Sequence, residues 1–176
     1  MKKVWLGWIV SLIIFICAGF VNKHYFEVKT MLPIQFATSA GDMAECIRAS
    51  APTVEESYHL LLQNTRVDYI FLLGYTLLAL FSVRIILNAL EISTKKGLYI
   101  LAVIPGVLDA IENGYLIVTA VKQHEEISWI YMTVVRLKWA VAIVPFMVIP
   151  MVIIYGLVVL LHARQGSGNE VPVISQ

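Results

Sequence analysis

Charge is what this chain has least of. Only 14% of its 176 residues are Asp, Glu, Lys or Arg, against about 25% in a soluble domain. The 13 basic and 12 acidic residues nearly cancel, so no large field of one sign exists and nucleic acid is not an expected partner. Cysteine is almost absent. Cys17 and Cys46 alone supply neither a disulfide framework nor a metal site. The sequence contains no Cys-x-x-Cys pair, no phosphate loop, no nucleophile elbow, no haem-attachment sequence, no internal repeat and no low-complexity tract. His24, His59 and His124 have no metal-ligand spacing such as His-Glu-x-x-His. No metal and no cofactor is expected.

Long apolar runs are there instead. Hydrophobic residues make up 59% of the chain, and a soluble domain has about 45–50%. A bilayer core of about 30 Å takes about 20 helical residues to cross. Four stretches meet or approach that length: 4–22, 67–90, 98–121 and 127–162. Each is apolar around its whole circumference, which suits lipid and helix neighbours rather than a one-sided surface helix. The first has Lys2 and Lys3 before it and small residues Ala18 and Gly19 near its end, as a signal peptide would. Its apolar run is longer than a signal core and continues through Phe20 and Val21, so it is read as a retained span. The fold class is therefore all-α: a four-helix transmembrane bundle in one domain, 1–164, with 165–176 as a flexible tail.

Orientation follows from Lys and Arg near the span ends. Stretches 1–3, 91–97 and 162–176 hold Lys2, Lys3, Lys95, Lys96 and Arg164 in 25 residues. The opposite side holds Lys23, Lys29, Arg48, Arg66 and Lys122 in 50 residues. The denser side is read as inner, which puts both termini in the cytoplasm and the protein in the cell membrane.

Residues 23–66 form the one sizeable aqueous segment. Ser39 with Asp42 three residues on marks a helix start, and Met43, Cys46 and Ile47 give it an apolar stripe. Ala51-Pro52 interrupts. Thr53 with Glu56 reads as a capping box opening a helix that runs into the second span. A small helical cap on the outer side is expected. Trp5, Trp8, Tyr25, Trp129, Tyr131 and Tyr155 fall near span ends and read as an aromatic belt. Gly74-Tyr75 and Gly114-Tyr115 are positions where helices could approach closely.

The remaining charges lie where lipid should not tolerate them. Asp109, Glu112 and Asn113 are spaced i, i+3, i+4, so they share one face of the third span. An Asp at mid-membrane costs about 2.5–3.5 kcal/mol on insertion scales. Pro105 one turn earlier removes a helix hydrogen bond. Lys138 is the expected partner. With a short loop at 122–126, Glu112 lies nine residues from one span end and Lys138 eleven from the other, a difference of about 3 Å in depth. Asp68 and Tyr75, at i and i+7, place two more polar groups on one face of the second span. Arg136 falls on the opposite side of its helix from Lys138 and is expected to snorkel.

Asp68, Tyr75, Asp109, Glu112, Asn113 and Lys138 thus form a candidate site. Asp109, Glu112 and Lys138 are the candidate catalytic groups, since two carboxyls one turn apart in a low dielectric favour holding a proton. Asp68, Tyr75 and Asn113 are candidate ligand-binding groups. Gln35-Phe36-Ala37, Asp68-Tyr69-Ile70-Phe71 with Tyr75, Leu108-Asp109-Ala110-Ile111-Glu112-Asn113 and Lys138-Trp139 occur in an order that resembles a group of small bacterial-type four-span membrane proteins. That resemblance covers 1–162 and implies no activity. Four-span thiol oxidoreductases of the vitamin K epoxide reductase type are excluded by the missing Cys-x-x-Cys. Three functions remain open. The first is binding or transforming a lipid-like, amphipathic small molecule. The second is proton-coupled transport, which in four spans needs a homo-oligomer. The third is a non-catalytic partner subunit of a membrane complex.

Overall fold

A computed structural model of the chain describes residues 2–25, 31–92, 96–123 and 129–167. The fold is all-α. Four long helices, α1 (Lys2–Tyr25), α4 (Val54–Ala89), α5 (Lys96–Lys122) and α6 (Trp129–Ser167), form the bundle. All four are long and apolar enough to cross a membrane. Two short helices, α2 (Met31–Gln35) and α3 (Ala40–Arg48), lie between α1 and α4. At 36 residues, α4 is about 54 Å long. It exceeds a bilayer core by more than 20 Å or so, and the excess carries the surface on which the short helices rest.

Neighbouring long helices run antiparallel. Along α1 and α4, Gly7 faces Phe81, Trp8 Nε1 donates to Ser82 Oγ at 2.8 Å, Phe15 meets Gly74, and Asn22 reaches Asp68. Along α4 and α5, Asp68 meets Asn113, Tyr75 meets Asp109 and Thr76 meets Gly106. Along α5 and α6, Tyr115 stacks on Tyr131 and Asp109 meets Lys138. A helix carries through Pro105 in α5, and through Pro145 and Pro150 in α6.

Both expected helix starts in the cap are present. Ser39 Oγ accepts from the Asp42 N–H, and the Asp42 carboxylate accepts from the Ser39 N–H. Hydrogen bonds from the Thr38 hydroxyl and from Ser39 hold the exposed Asp42 carboxyl below its ordinary range. Thr53 Oγ1 accepts from the Glu56 N–H, but Glu56 returns to the Thr53 hydroxyl rather than to its backbone. Nothing in the pattern anticipates α2, a single turn containing Pro33. At the far end α6 continues to Ser167, three residues into the stretch expected as a tail. Residues 168–176, the loop positions 124–126 and the expected span start at 127–128 lie outside the described residues.

The apolar core is layered. On the cap side Ile34, Met43 and Ile47 pack on Tyr58, Leu61, Leu116, Ala120, Tyr131 and Val135. Toward the other end one cluster joins Trp8, Leu78, Ile85 and Val152, and another joins Ala79, Val83, Leu87 and Ala102. Trp8 and Tyr131 therefore belong to the interior and not to an aromatic belt. Trp129, three-quarters exposed, keeps the belt-like position.

Of the two Gly-Tyr positions, only Gly74 sits at a close helix approach. A Cβ there would lie 2.9 Å from the backbone nitrogen of Phe15 and 3.0 Å from its Cα. Backbone cannot rotate aside, so α1 would have to move. At Gly114 the nearest atom is the Tyr69 hydroxyl, 4.0 Å from such a Cβ. Gly74→Ala is expected to cost about 1–3 kcal/mol, the usual range for overpacking. Gly97→Ala, which meets nothing within 4 Å, should be neutral or slightly stabilising. Thermal unfolding of the two variants in mild detergent measures the contrast, and equal melting temperatures would refute the close approach.

Candidate functional site

Each polar side chain at the centre of the bundle is placed by helical periodicity. On α5 the i, i+3, i+4 spacing turns Asp109, Glu112 and Asn113 inward together, and all three are buried. On α6 Lys138 points the same way and is buried, while Arg136 is exposed on the far side. On α4 Asp68 and Tyr75 lie two turns apart on the face turned toward α5. Counting Glu112 back from Lys122 at about 1.5 Å per residue sets it about 15 Å inside the cap-side end of α5.

These groups form a network of two bonded sets, one around Lys138 and one around Asp68. Lys138 Nζ donates to Asp109 Oδ1 at 2.9 Å and forms an ion pair with Glu112 Oε2 at 2.5 Å. The other Asp109 oxygen, Oδ2, accepts from the Tyr75 hydroxyl at 3.0 Å. Asn113 Nδ2 donates to Asp68 Oδ2 at 2.8 Å. The lysine ammonium also lies 5.5 Å from the centroid of the Trp139 ring, within cation–π range. The structure brings Tyr75, Asp109, Glu112 and Lys138 together in one set and Asp68 and Asn113 in the other, with the sets joined through the adjacent positions Glu112 and Asn113 on α5.

A seventh residue was not anticipated. Asn22 on α1 donates from Nδ2 to Asp68 Oδ1, at a long 3.4 Å, and brings the fourth helix into the network. In the sequence Asn22 only marks the end of an apolar run. Its one signal is that it closes the first run as Asp68 opens the second, which places the two side by side once α1 and α4 pair antiparallel.

Several buried polar atoms have no hydrogen-bond partner among the described residues. They include Glu112 Oε1, Asn113 Oδ1 and Asn22 Oδ1 in the network, with Thr76 Oγ1 and Gln35 Oε1 nearby in sequence to its members or to the cap. A buried acceptor left unpaired costs about 1–3 kcal/mol. Natural interiors avoid such groups unless water, an ion or a ligand meets them. Among the described residues no three His, Cys, Asp or Glu side chains gather in a metal-binding arrangement.

The layer lies between two apolar ones. Tyr131 and Leu116 belong to the cap-side core, and Leu78 and Ala79 to the clusters below. Phe36, just after α2, stacks on Trp139 with ring centroids 5.9 Å apart, so the cap reaches the residue next to Lys138. Chemically, the arrangement offers carboxylates for proton exchange, an ammonium and a phenol for orienting a polar group, and unfilled acceptors.

Removing one ion from a buried pair leaves its partner uncompensated, at about 3–5 kcal/mol. Lys138→Met is expected to destabilise the protein by that amount. Adding Asp109→Asn and Glu112→Gln in the same chain should recover most of the loss, because no buried charge is then stranded. Unfolding of the single and triple variants in mild detergent checks this; a triple variant no more stable than Lys138→Met would sink the ion-pair account. Comparison with family models, with curated proteins and with solved structures finds no match to this chain, so the site is read from its own geometry.

Proposed function

We propose that this is a multi-pass membrane protein that binds, and exchanges a proton with, the polar head of an amphipathic, lipid-like small molecule. The single observation that carries the reading is Glu112. Its carboxylate is buried between the apolar layers, one oxygen paired with Lys138 and the other, Oε1, without a hydrogen-bond partner among the described residues. A network serving only helix register gains little from such a group. Measured inter-helix polar contacts in membranes average about 0.6 kcal/mol, less than the cost of one unpaired acceptor.

In this reading Glu112 or Asp109 exchanges the proton, Lys138 stabilises negative charge, and Asn113 and Tyr75 orient the ligand. The apolar clusters on both sides favour binding over transport, since a conducted ion would need a continuous polar path, and buried hydroxyls outside the layer, such as Ser57, Thr65 and Ser82, are bonded to their own helix or to Trp8. A lipid-like molecule has no such requirement: its tail occupies lipid while its head reaches the polar layer.

The test is native mass spectrometry of the protein extracted in mild detergent. An amphipathic small molecule should accompany the wild-type chain and be lost, or reduced about tenfold, in Glu112→Gln, as expected for about 1.4 kcal/mol of charge-assisted contact. A bare wild-type chain would refute the proposal. A stoichiometric second protein in its place would favour the partner-subunit alternative.

We further propose that the cap faces outward and that both termini are cytoplasmic, on the density of Lys and Arg. In a chain with Cys17→Ser and Cys46→Ser, Glu55→Cys should react with a membrane-impermeant maleimide on intact cells, and Gly97→Cys only after permeabilisation. Both positions are exposed. The reverse pattern would invert the topology.

A further inference from the structure

We infer that the head group taken by this site is a primary ammonium, seated on Asp68 between the amides of Asn22 and Asn113. The inference rests on the amphiphile reading and narrows it to a chemical class.

The network holds three carboxylates, Asp68, Asp109 and Glu112, against the one ammonium of Lys138, a formal excess of two negative charges. Lys138 is already committed to Asp109 and Glu112. The two hydrogen bonds described for Asp68 both come from uncharged amides, Asn113 Nδ2 at 2.8 Å and Asn22 Nδ2 at 3.4 Å. Both asparagines are more than nine-tenths buried. On each amide the nitrogen is used and the oxygen is not, since Asn113 Oδ1 and Asn22 Oδ1 have no hydrogen-bond partner among the described residues. The unpartnered atoms beside Asp68 are therefore acceptors. A neutral or anionic head with further acceptors leaves them unmet, whereas a cation bearing N–H groups meets them. A primary ammonium carries three N–H donors, one each for the carboxylate and the two amide oxygens.

The surroundings suit the rest of such a molecule. Phe71 and Tyr75 follow Asp68 on the same face of α4, with ring centroids 5.9 Å apart, and Phe15 of α1 lies 4.8 Å from Phe71. This aromatic row runs away from Asp68 into the bundle and offers both an apolar wall for an alkyl chain and ring faces near the cation. The site already holds one primary ammonium, that of Lys138 between two carboxylates, by the same chemistry.

The experiment is equilibrium binding of radiolabelled dodecylamine to the full chain in nanodiscs, corrected by empty nanodiscs. Unlabelled dodecyltrimethylammonium, dodecanol, dodecanoate and sodium chloride serve as competitors. Dodecylamine should bind saturably and be displaced by dodecanol or dodecanoate only at concentrations at least about tenfold higher than its own, the worth of one charge-assisted hydrogen bond. Dodecyltrimethylammonium, which has no N–H, should compete less well than unlabelled dodecylamine. Asp68→Asn keeps the shape and an acceptor but removes the charge, and should weaken dodecylamine about tenfold or more. If that variant does not accumulate, Asn22→Leu removes one acceptor together with the long 3.4 Å donor to Asp68, leaves Asp68 charged, and should weaken binding several-fold.

Equal binding of the alcohol or the carboxylate, with no effect of Asp68→Asn or Asn22→Leu, overturns the ammonium assignment and leaves the amphiphile reading standing. Displacement of dodecylamine by millimolar sodium also overturns it, in favour of an inorganic cation. If no dodecyl compound of any charge binds saturably, while the molecule accompanying the purified chain is still found, the head-group class is wrong. If neither is seen, both readings fall.

Discussion

One buried ammonium governs the middle of this molecule. Lys138 reaches Asp109 and Glu112 from a different helix, and without it two carboxyls one turn apart would sit in an apolar bundle with nothing to offset them. At this depth each charge alone costs a few kcal/mol. The ion pair therefore fixes how α6 is rotated and how deep it sits against α5. Only one rotation brings Lys138 to the carboxylates while leaving Arg136 exposed. Tyr75, bonded to the second oxygen of Asp109, extends the same constraint to α4.

Helices α1 and α4 are held differently. Gly74 lets the α1 backbone come within contact of α4, and Trp8 with Ser82 supplies a hydrogen bond farther down. Close backbone approach through small residues is how membrane helices gain packing where lipid removes the hydrophobic drive. The two devices meet at Asp68. Asn22 comes to it from the helix held by packing, and Asn113 from the helix held by charge. That carboxylate is thus placed by backbone fit as well as by ion pairing, and a shift of either helix would move its surroundings.

What the sequence made legible follows from which quantities are local. The inward face of Asp109, Glu112 and Asn113 is set by helical periodicity alone and needs no partner to be read. Lys138 could be matched to Glu112 because a short connection fixes relative depth, so counting residues replaces knowledge of the fold. Ser39 with Asp42 and Thr53 with Glu56 were readable because a cap is made within four residues. The misses are all non-local or too short. A single turn around Pro33 has no period to detect. Trp8 and Tyr131 have the composition of belt residues, and only their neighbours Ser82 and Tyr115 make them interior. Asn22 gains its place from pairing of α1 with α4, and Gly74, unlike Gly114, sits at a close approach only because that pairing puts Phe15 over it.

The unpaired atoms are the observation that favours a functional over a structural account of the polar layer. A network selected only to lock register would end in satisfied groups, since each orphan acceptor costs about as much as a hydrogen bond gains. Here the bonds that lock register, Lys138 to Asp109 and Tyr75 to Asp109, are complete. The unsatisfied oxygens lie elsewhere, on Glu112, Asn113 and Asn22, and none is required by those bonds. Isosteric apolar residues at Asn22, Asp68 and Asn113 together would remove two orphans, strand no charge and leave the Lys138 pair intact. Keeping a carboxylate and two half-satisfied amides there is a cost to stability, which is the physical reason to propose the layer as a receiving site as well as a clamp.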